Sequence, residues 1–195
     1  MVANEIEEFT KNYLGIKGLL YQPRFLPPEE QARVLREIDS RPWLNDLRRR
    51  VQHYGYKYDY RFRAINHSML VGPLPPFANE IAQQLMSRGI ITRFPDQAIV
   101  NEYLPGQGIS AHVDCVPCFG NTITTISLGS PCEMDFIHLR SKETRSALLE
   151  PGSVLVLRDE ARYQWMHRIE ARRNDHGIPR GRRVSLTYRK VILAR

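Results

Sequence analysis

His112-Val113-Asp114 is the segment of this 195-residue chain with the plainest capacity for chemistry. It follows the turn Pro105-Gly106-Gln107-Gly108. In extended backbone, residues two apart project from the same face, so this imidazole and carboxylate would point to one place. A later histidine on a neighbouring strand would complete a two-histidine, one-carboxylate face. That ligand set suits Fe(II) and leaves three positions open for substrate and oxygen. Alone, His-x-Asp is more often a surface or core-edge pair. His138, His167 and His176 all lie downstream. His138 ends an expected strand, and His176 falls in a polar stretch. His167 is preferred on context, because apolar neighbours in Tyr163-Gln164-Trp165-Met166-His167 would keep water away.

A second pattern suits an anion. Arg183, Ser185, Thr187 and Arg189 alternate with Val184, Leu186 and Tyr188. Two arginines on an inward face are costly unless they meet negative charge. They stand roughly 20 Å apart along a strand, so they would have to lean together to share one short dicarboxylate. An edge strand with solvated arginines is the plainer reading of these residues alone. Asn101 and Tyr103 share a face and can both donate hydrogen bonds to a carboxylate. A core-packed tyrosine would give the same pattern.

Residues 41–63, RPWLNDLRRRVQHYGYKYDYRFR, hold six aromatic and seven basic side chains. Positive charge holds phosphates, and aromatic faces stack on unpaired bases at roughly 1–3 kcal/mol each. Arg48, Arg49, Arg50, Tyr54, Tyr56 and Tyr58 are the candidate substrate contacts. Alternation of the tyrosines would make one face of a hairpin aromatic. Cys115-Val116-Pro117-Cys118 could bind zinc or cycle as a redox pair. With only Cys132 in addition, a four-cysteine site is excluded, and free thiols are expected.

These groups need a scaffold. Pro27-Pro28-Glu29-Glu30 opens a helix, with Ala32, Leu35 and Ile38 at helical spacing. A second helix starts near Pro76, carries Phe77, Ile81 and Leu85, and stops at Gly89. Beyond Pro95, residues 98–104, 122–128, 133–138, 153–157 and 182–193 read as strands bounded by turns. Residues 171–182 read as an exposed loop. The expected fold is α+β and mainly β: a jelly roll with N-terminal helices on one face. One domain is expected over 1–195. Its helical part is 1–96, with a lid at about 41–63, and its β core is 97–195.

Composition is that of a soluble globular chain, with 42% hydrophobic and 25% charged residues. No apolar run suggests a membrane span. The polar, acidic N-terminus does not read as a secretory signal, so a reducing cytoplasm is the expected setting. The net charge of +7 suits a polyanionic partner. It is concentrated in residues 41–63 (seven basic, two acidic) and 158–195 (eleven basic, four acidic).

The segments NEYLPGQGISAHVD, SLGSPCEMDF, RYQWMH and RRVSLTYR together resemble the AlkB family of Fe(II)/2-oxoglutarate dioxygenases. Their order and spacing match across about half of the chain. VQHYGYKYDY resembles the branch that includes the tRNA wobble-uridine hydroxylases. The resemblance implies a double-stranded β-helix core. It makes His112, Asp114 and His167 iron ligands and sets Arg183 against the distal carboxylate of 2-oxoglutarate. Arg189, Asn101 and Tyr103 complete that co-substrate site. It also places a nucleotide-recognition lid over 41–63. The implied reaction consumes O2 and 2-oxoglutarate, releases succinate and CO2, and hydroxylates or demethylates alkyl groups on nucleobases. Expected partners are single-stranded DNA, RNA or tRNA, met by a monomer. Val116 stands two positions after Asp114, where repair-type members often carry an acidic residue. An oxygenase acting on a protein side chain or small molecule is the alternative, as is a non-catalytic nucleic-acid-binding protein.

Overall fold

The computed structural model describes residues 9–45, 49–58 and 64–193. The chain opens with β1 (Thr10–Lys11), β2 (Leu19–Gln22), α1 (Pro28–Asp39), β3 (Val51–Tyr56), β4 (Leu70–Gly72) and α2 (Pro76–Ser87). It continues with β5 (Gln97–Tyr103), β6 (Ile109–His112), β7 (Phe119–Gly129), β8 (Cys132–His138), β9 (Thr144–Leu149) and β10 (Val154–Leu157). Last come α3 (Asp159–Tyr163), β11 (Trp165–Ile169), the short pair β12 (Asn174–Asp175) and β13 (Ile178–Pro179), and β14 (Arg183–Val191).

An eight-stranded antiparallel sheet runs in the order β1-β2-β10-β7-β14-β5-β3-β4, and a four-stranded sheet in the order β6-β11-β8-β9. This is the expected mainly-β jelly roll. The helical expectation for residues 1–96 is incomplete, because this part also supplies four strands to the large sheet. Short runs such as Leu19–Gln22 carry too few residues to show a period of two.

The alternation in β14 divides the molecule. Val184, Leu186 and Tyr188 pack with Val34 and Ile38 of α1 and with Phe77, Ile81 and Leu85 of α2. Burying such a side chain stabilises the fold by roughly 1.5–3 kcal/mol. Tyr188 also donates its hydroxyl hydrogen bond to the Ala78 carbonyl at 2.8 Å, fixing α2 to the sheet. Arg183, Ser185, Thr187 and Arg189 face the other way, into the space between the sheets. The edge-strand reading of this segment is wrong: β14 lies between β5 and β7, and Arg183 is only 2% exposed.

Both helices begin as expected, with proline in the first turn. Gly89 has a φ of +66°, the left-handed geometry that ends α2. The segment 171–182 is not a free loop. Arg180 is buried on Asp175, and Arg172 bridges Asp175 and Glu133. Among the described residues, no helix is long and apolar enough to cross a membrane.

Candidate active site

β6 and β11 are antiparallel neighbours, and their register sets His112 directly opposite His167. Such pairs hold Cβ atoms roughly 4.5–5.5 Å apart, and here the rings lie 4.3 Å between centroids. Asp114 follows two residues after the end of β6. His112, Asp114 and His167 then offer three ligand atoms within 4.8 Å of one another. Neither His138 nor His176 joins them. His138 packs on Trp165 and bonds Ser141, and His176 bonds Glu133. Gly108 permits the approach, since a Cβ there would lie 2.2 Å from the Ile169 carbonyl of β11.

The three groups are poised as donors. His112 Nδ1 meets the Ser110 carbonyl at 2.8 Å, which fixes the proton on that nitrogen in the neutral ring and leaves Nε2 as the acceptor. His167 Nδ1 is buried without a hydrogen-bond partner among the described residues, and Nε2 stands 3.7 Å from Asp114 Oδ2. Burial pushes the Asp114 carboxyl up, but the Arg189 guanidinium, followed by His167 and His112, outweighs it and holds the group at about 2. Arg189 Nη2 lies 2.6 Å from Asp114 Oδ1. Burial first, then His112, drives His167 down to about 3 against the pull of Asp114. A carboxylate beside a neutral buried imidazole fits a divalent ion.

The His167 shift has a measurable consequence. The unfolded ring takes up a proton near its ordinary value of 6.5, whereas the folded ring resists until about 3. Stability is therefore complete above 6.5 and falls as pH drops through that window. Denaturant unfolding of metal-free protein is expected to lose on the order of 2–3 kcal/mol between pH 7 and 4. His167→Gln should remove most of that slope. An unchanged slope in the variant would place the acid sensitivity elsewhere.

Arg162 holds the turn that carries Asp114. It is 2% exposed, and its donors reach the carbonyls of Asp114, Cys115, Phe119 and Gly120. Sequence reasoning assigned this arginine no role, because nothing in Arg162-Tyr163-Gln164 announces a guanidinium aimed at backbone. Within the same turn Cys115 and Cys118 are joined as a disulfide. This corrects the expectation of free thiols for that pair. Only Cys132 is free, and it is buried.

A cavity of about 790 Å³ opens beside the three ligands. Asn101, Tyr103, Arg183, Ser185, Thr187 and Arg189 line it, so the anion-binding candidates do meet the metal candidates. The two arginines have different tasks. Arg189 serves Asp114 and Gln97, whereas Arg183 lies over the Tyr103 ring and, among the described residues, donates only to Ser127, at 3.0 Å. Arg183 Nε and Nη1 are buried with no partner among those residues. That is a buried cation waiting for an anion, and its chemistry fits a carboxylate.

The substrate candidates separate. Tyr58 and Arg49 line the cavity, whereas Arg48 lies outside the described residues. Arg50 turns outward onto Glu102 and over the Trp43 ring. Tyr54 packs edge-on to Phe77 beneath the helices, while Tyr56 packs on the cavity-side core. The single aromatic face is therefore broken. Gly55, at a φ of +74°, leaves the extended backbone where the β3–β4 pairing shifts register, one step on β3 matching two on β4. A Cβ at Gly55 would fall 1.8 Å from the Asp96 carbonyl, so only glycine fits.

The 2OG-Fe(II) oxygenase superfamily matches residues 18–189. The mouse mitochondrial alpha-ketoglutarate-dependent dioxygenase alkB homolog 7 is 34% identical over 180 residues, covering 87% of this chain and 76% of that protein. The chain is a 2OG-Fe(II) oxygenase of the AlkB family. Members of this family use Fe(II), 2-oxoglutarate and O2, in keeping with the triad and the buried Arg183. An Arabidopsis thaliana protein, "Alkylated DNA repair protein ALKBH8 homolog", is 35% identical over 205 residues and matches 91% of the oxygenase. The oxygenase spans 59% of that relative's length. The solved structure of OsALKBH1 superposes with a TM-score of 0.65 at 18% identity, over 89% of this chain and 96% of the other, and shares the fold.

Proposed function

We propose that the chain oxidises alkyl groups on unpaired nucleobases of DNA or RNA, tRNA included, by hydroxylation or demethylation. The observation that carries this reading is the shared cavity, which joins the three ligand atoms to a buried guanidinium that has no carboxylate partner among the described residues. His112, Asp114 and His167 would hold Fe(II), and Arg183 with Asn101 and Tyr103 would bind the distal carboxylate of 2-oxoglutarate. When bound, iron would supply oxygen activation coupled to conversion of 2-oxoglutarate into succinate and CO2. Arg189 fixes Asp114 as a carboxylate, and Arg162 fixes the turn behind it. Leu139, Met166 and Tyr58 wall the cavity and limit water. A base must leave its stack to enter such a pocket, which favours single-stranded or loop substrates. The charge of +7 and the name of the Arabidopsis relative support a nucleic-acid partner.

The test is mass spectrometry of methylated single-stranded DNA, methylated RNA and whole tRNA after incubation with Fe(II), 2-oxoglutarate and O2. One polymer should show loss of methyl or gain of oxygen, matched by succinate. Succinate formation with no change in any polymer would move the reading to a protein or small-molecule substrate.

A further inference from the structure

Arg49 and Arg50 are consecutive, yet they go to opposite sides of the sheet. Arg50 is neutralised by Glu102, and its carbonyl accepts from the Glu102 N–H at 3.1 Å. Arg49 turns into the cavity, where its Nε donates to Asn101 Oδ1 at 2.8 Å. Its guanidinium lies 5.6 Å from the centroid of the Tyr103 ring, and that of Arg183 lies 5.4 Å from the same centroid. Two cations thus share one aromatic ring. Among the described residues, neither has a carboxylate within ion-pair distance.

The charge of the described lining is unbalanced. Among the described residues, Asp114 is the sole acidic side chain there, and Arg189 already pairs with Asp114. Arg49 and Arg183 remain, two positive charges at the end formed by Asn101 and Tyr103. Pairing of β3 with β5, Val51 opposite Asn101, holds Arg49 there from behind. At the other end of β3, Tyr58 reaches Phe119, whose ring lies under Arg189. The residues that flank β3 therefore touch both ends of the site.

We propose that Arg49 is a second cationic contact for the distal carboxylate of 2-oxoglutarate. This rests on the co-substrate reading above. It moves Arg49 from the nucleotide-recognising set to the co-substrate set, and it ties the basic aromatic segment to co-substrate occupancy. A dicarboxylate held between two guanidiniums gains charge-assisted hydrogen bonds from both.

The test is calorimetric titration of the full chain, loaded anaerobically with Mn(II), with 2-oxoglutarate and with 2-oxopentanoate, which lacks the distal carboxylate. Arg49→Gln should weaken 2-oxoglutarate by about tenfold or more. Its affinities for 2-oxopentanoate and for a single-stranded oligonucleotide should stay within about twofold of the parent. Arg49→Lys, which keeps the charge and loses the fork, should fall between, and it decides the matter if Arg49→Gln does not fold. If Arg183→Gln weakens 2-oxoglutarate and neither Arg49 variant does, the proposal fails and the co-substrate reading stands. If no variant weakens it, both fail. Loss of oligonucleotide binding with 2-oxoglutarate unaffected would return Arg49 to the substrate.

Discussion

His112→Ala is expected to abolish turnover, lowering it by on the order of 10³-fold or more, while the protein stays folded. A bound metal contributes several kcal/mol to the transition state, and each 1.4 kcal/mol is a factor of ten. Apart from its place between Asp114 and His167, the His112 ring has one hydrogen bond, to Ser110 of its own strand. Its removal therefore leaves β6 paired with β11. Asp114→Ala should be as inactive for a mixed reason, because it also strips Arg189 of its carboxylate and leaves a cation in a nearly closed site. The two variants together separate metal loss from collapse. Mn(II) affinity should fall in both, and thermal stability should fall mainly in Asp114→Ala. Full turnover in His112→Ala would overturn the ligand assignment.

The legible part of this site was the part written in short stretches. His112-x-Asp114 lies on one run of chain, and the alternation of Arg183 to Arg189 needs only one strand to be read. The identity of the third ligand was not legible from pattern. Three histidines were available, and what selects His167 is the β6–β11 register, a pairing between residues 55 positions apart, from 112 to 167. Neither strand advertised itself. β6 has four residues and β11 has five, each too short for periodicity to separate them from loop.

Where the reading failed, one local feature or one tertiary partner was responsible. The tyrosines of β3 alternate in sequence, but the left-handed backbone of Gly55 between them sets Tyr54 and Tyr56 on opposite sides of the sheet. Arg50 looked like a phosphate contact until Glu102, 52 positions away, claimed it. The β strands of the first half were hidden by brevity, although the helices beside them were announced by proline, glutamate and a clear apolar stripe.

Arg183→Met is expected to lose 2-oxoglutarate affinity by on the order of 10²-fold or more while leaving the unliganded protein equally stable or more so. The first half follows from removing a charge-assisted, desolvated contact to a carboxylate. The second follows from the state of the side chain before any anion arrives. Arg183 is 2% exposed and, among the described residues, donates only to Ser127 Oγ and keeps Nε and Nη1 without partners. Burying a guanidinium that way destabilises the fold, and a methionine, shorter but flexible and apolar, replaces the buried stem without the charge. Thermal melts with and without 2-oxoglutarate distinguish the effects. The parent should gain stability on adding the co-substrate, and Arg183→Met should start level or higher and gain nothing. A large drop in the melting temperature of unliganded Arg183→Met would mean that the arginine holds the sheet together and does not wait for a ligand. The site would then owe its cation to architecture, and the anion-binding role would have to rest on Arg49 alone.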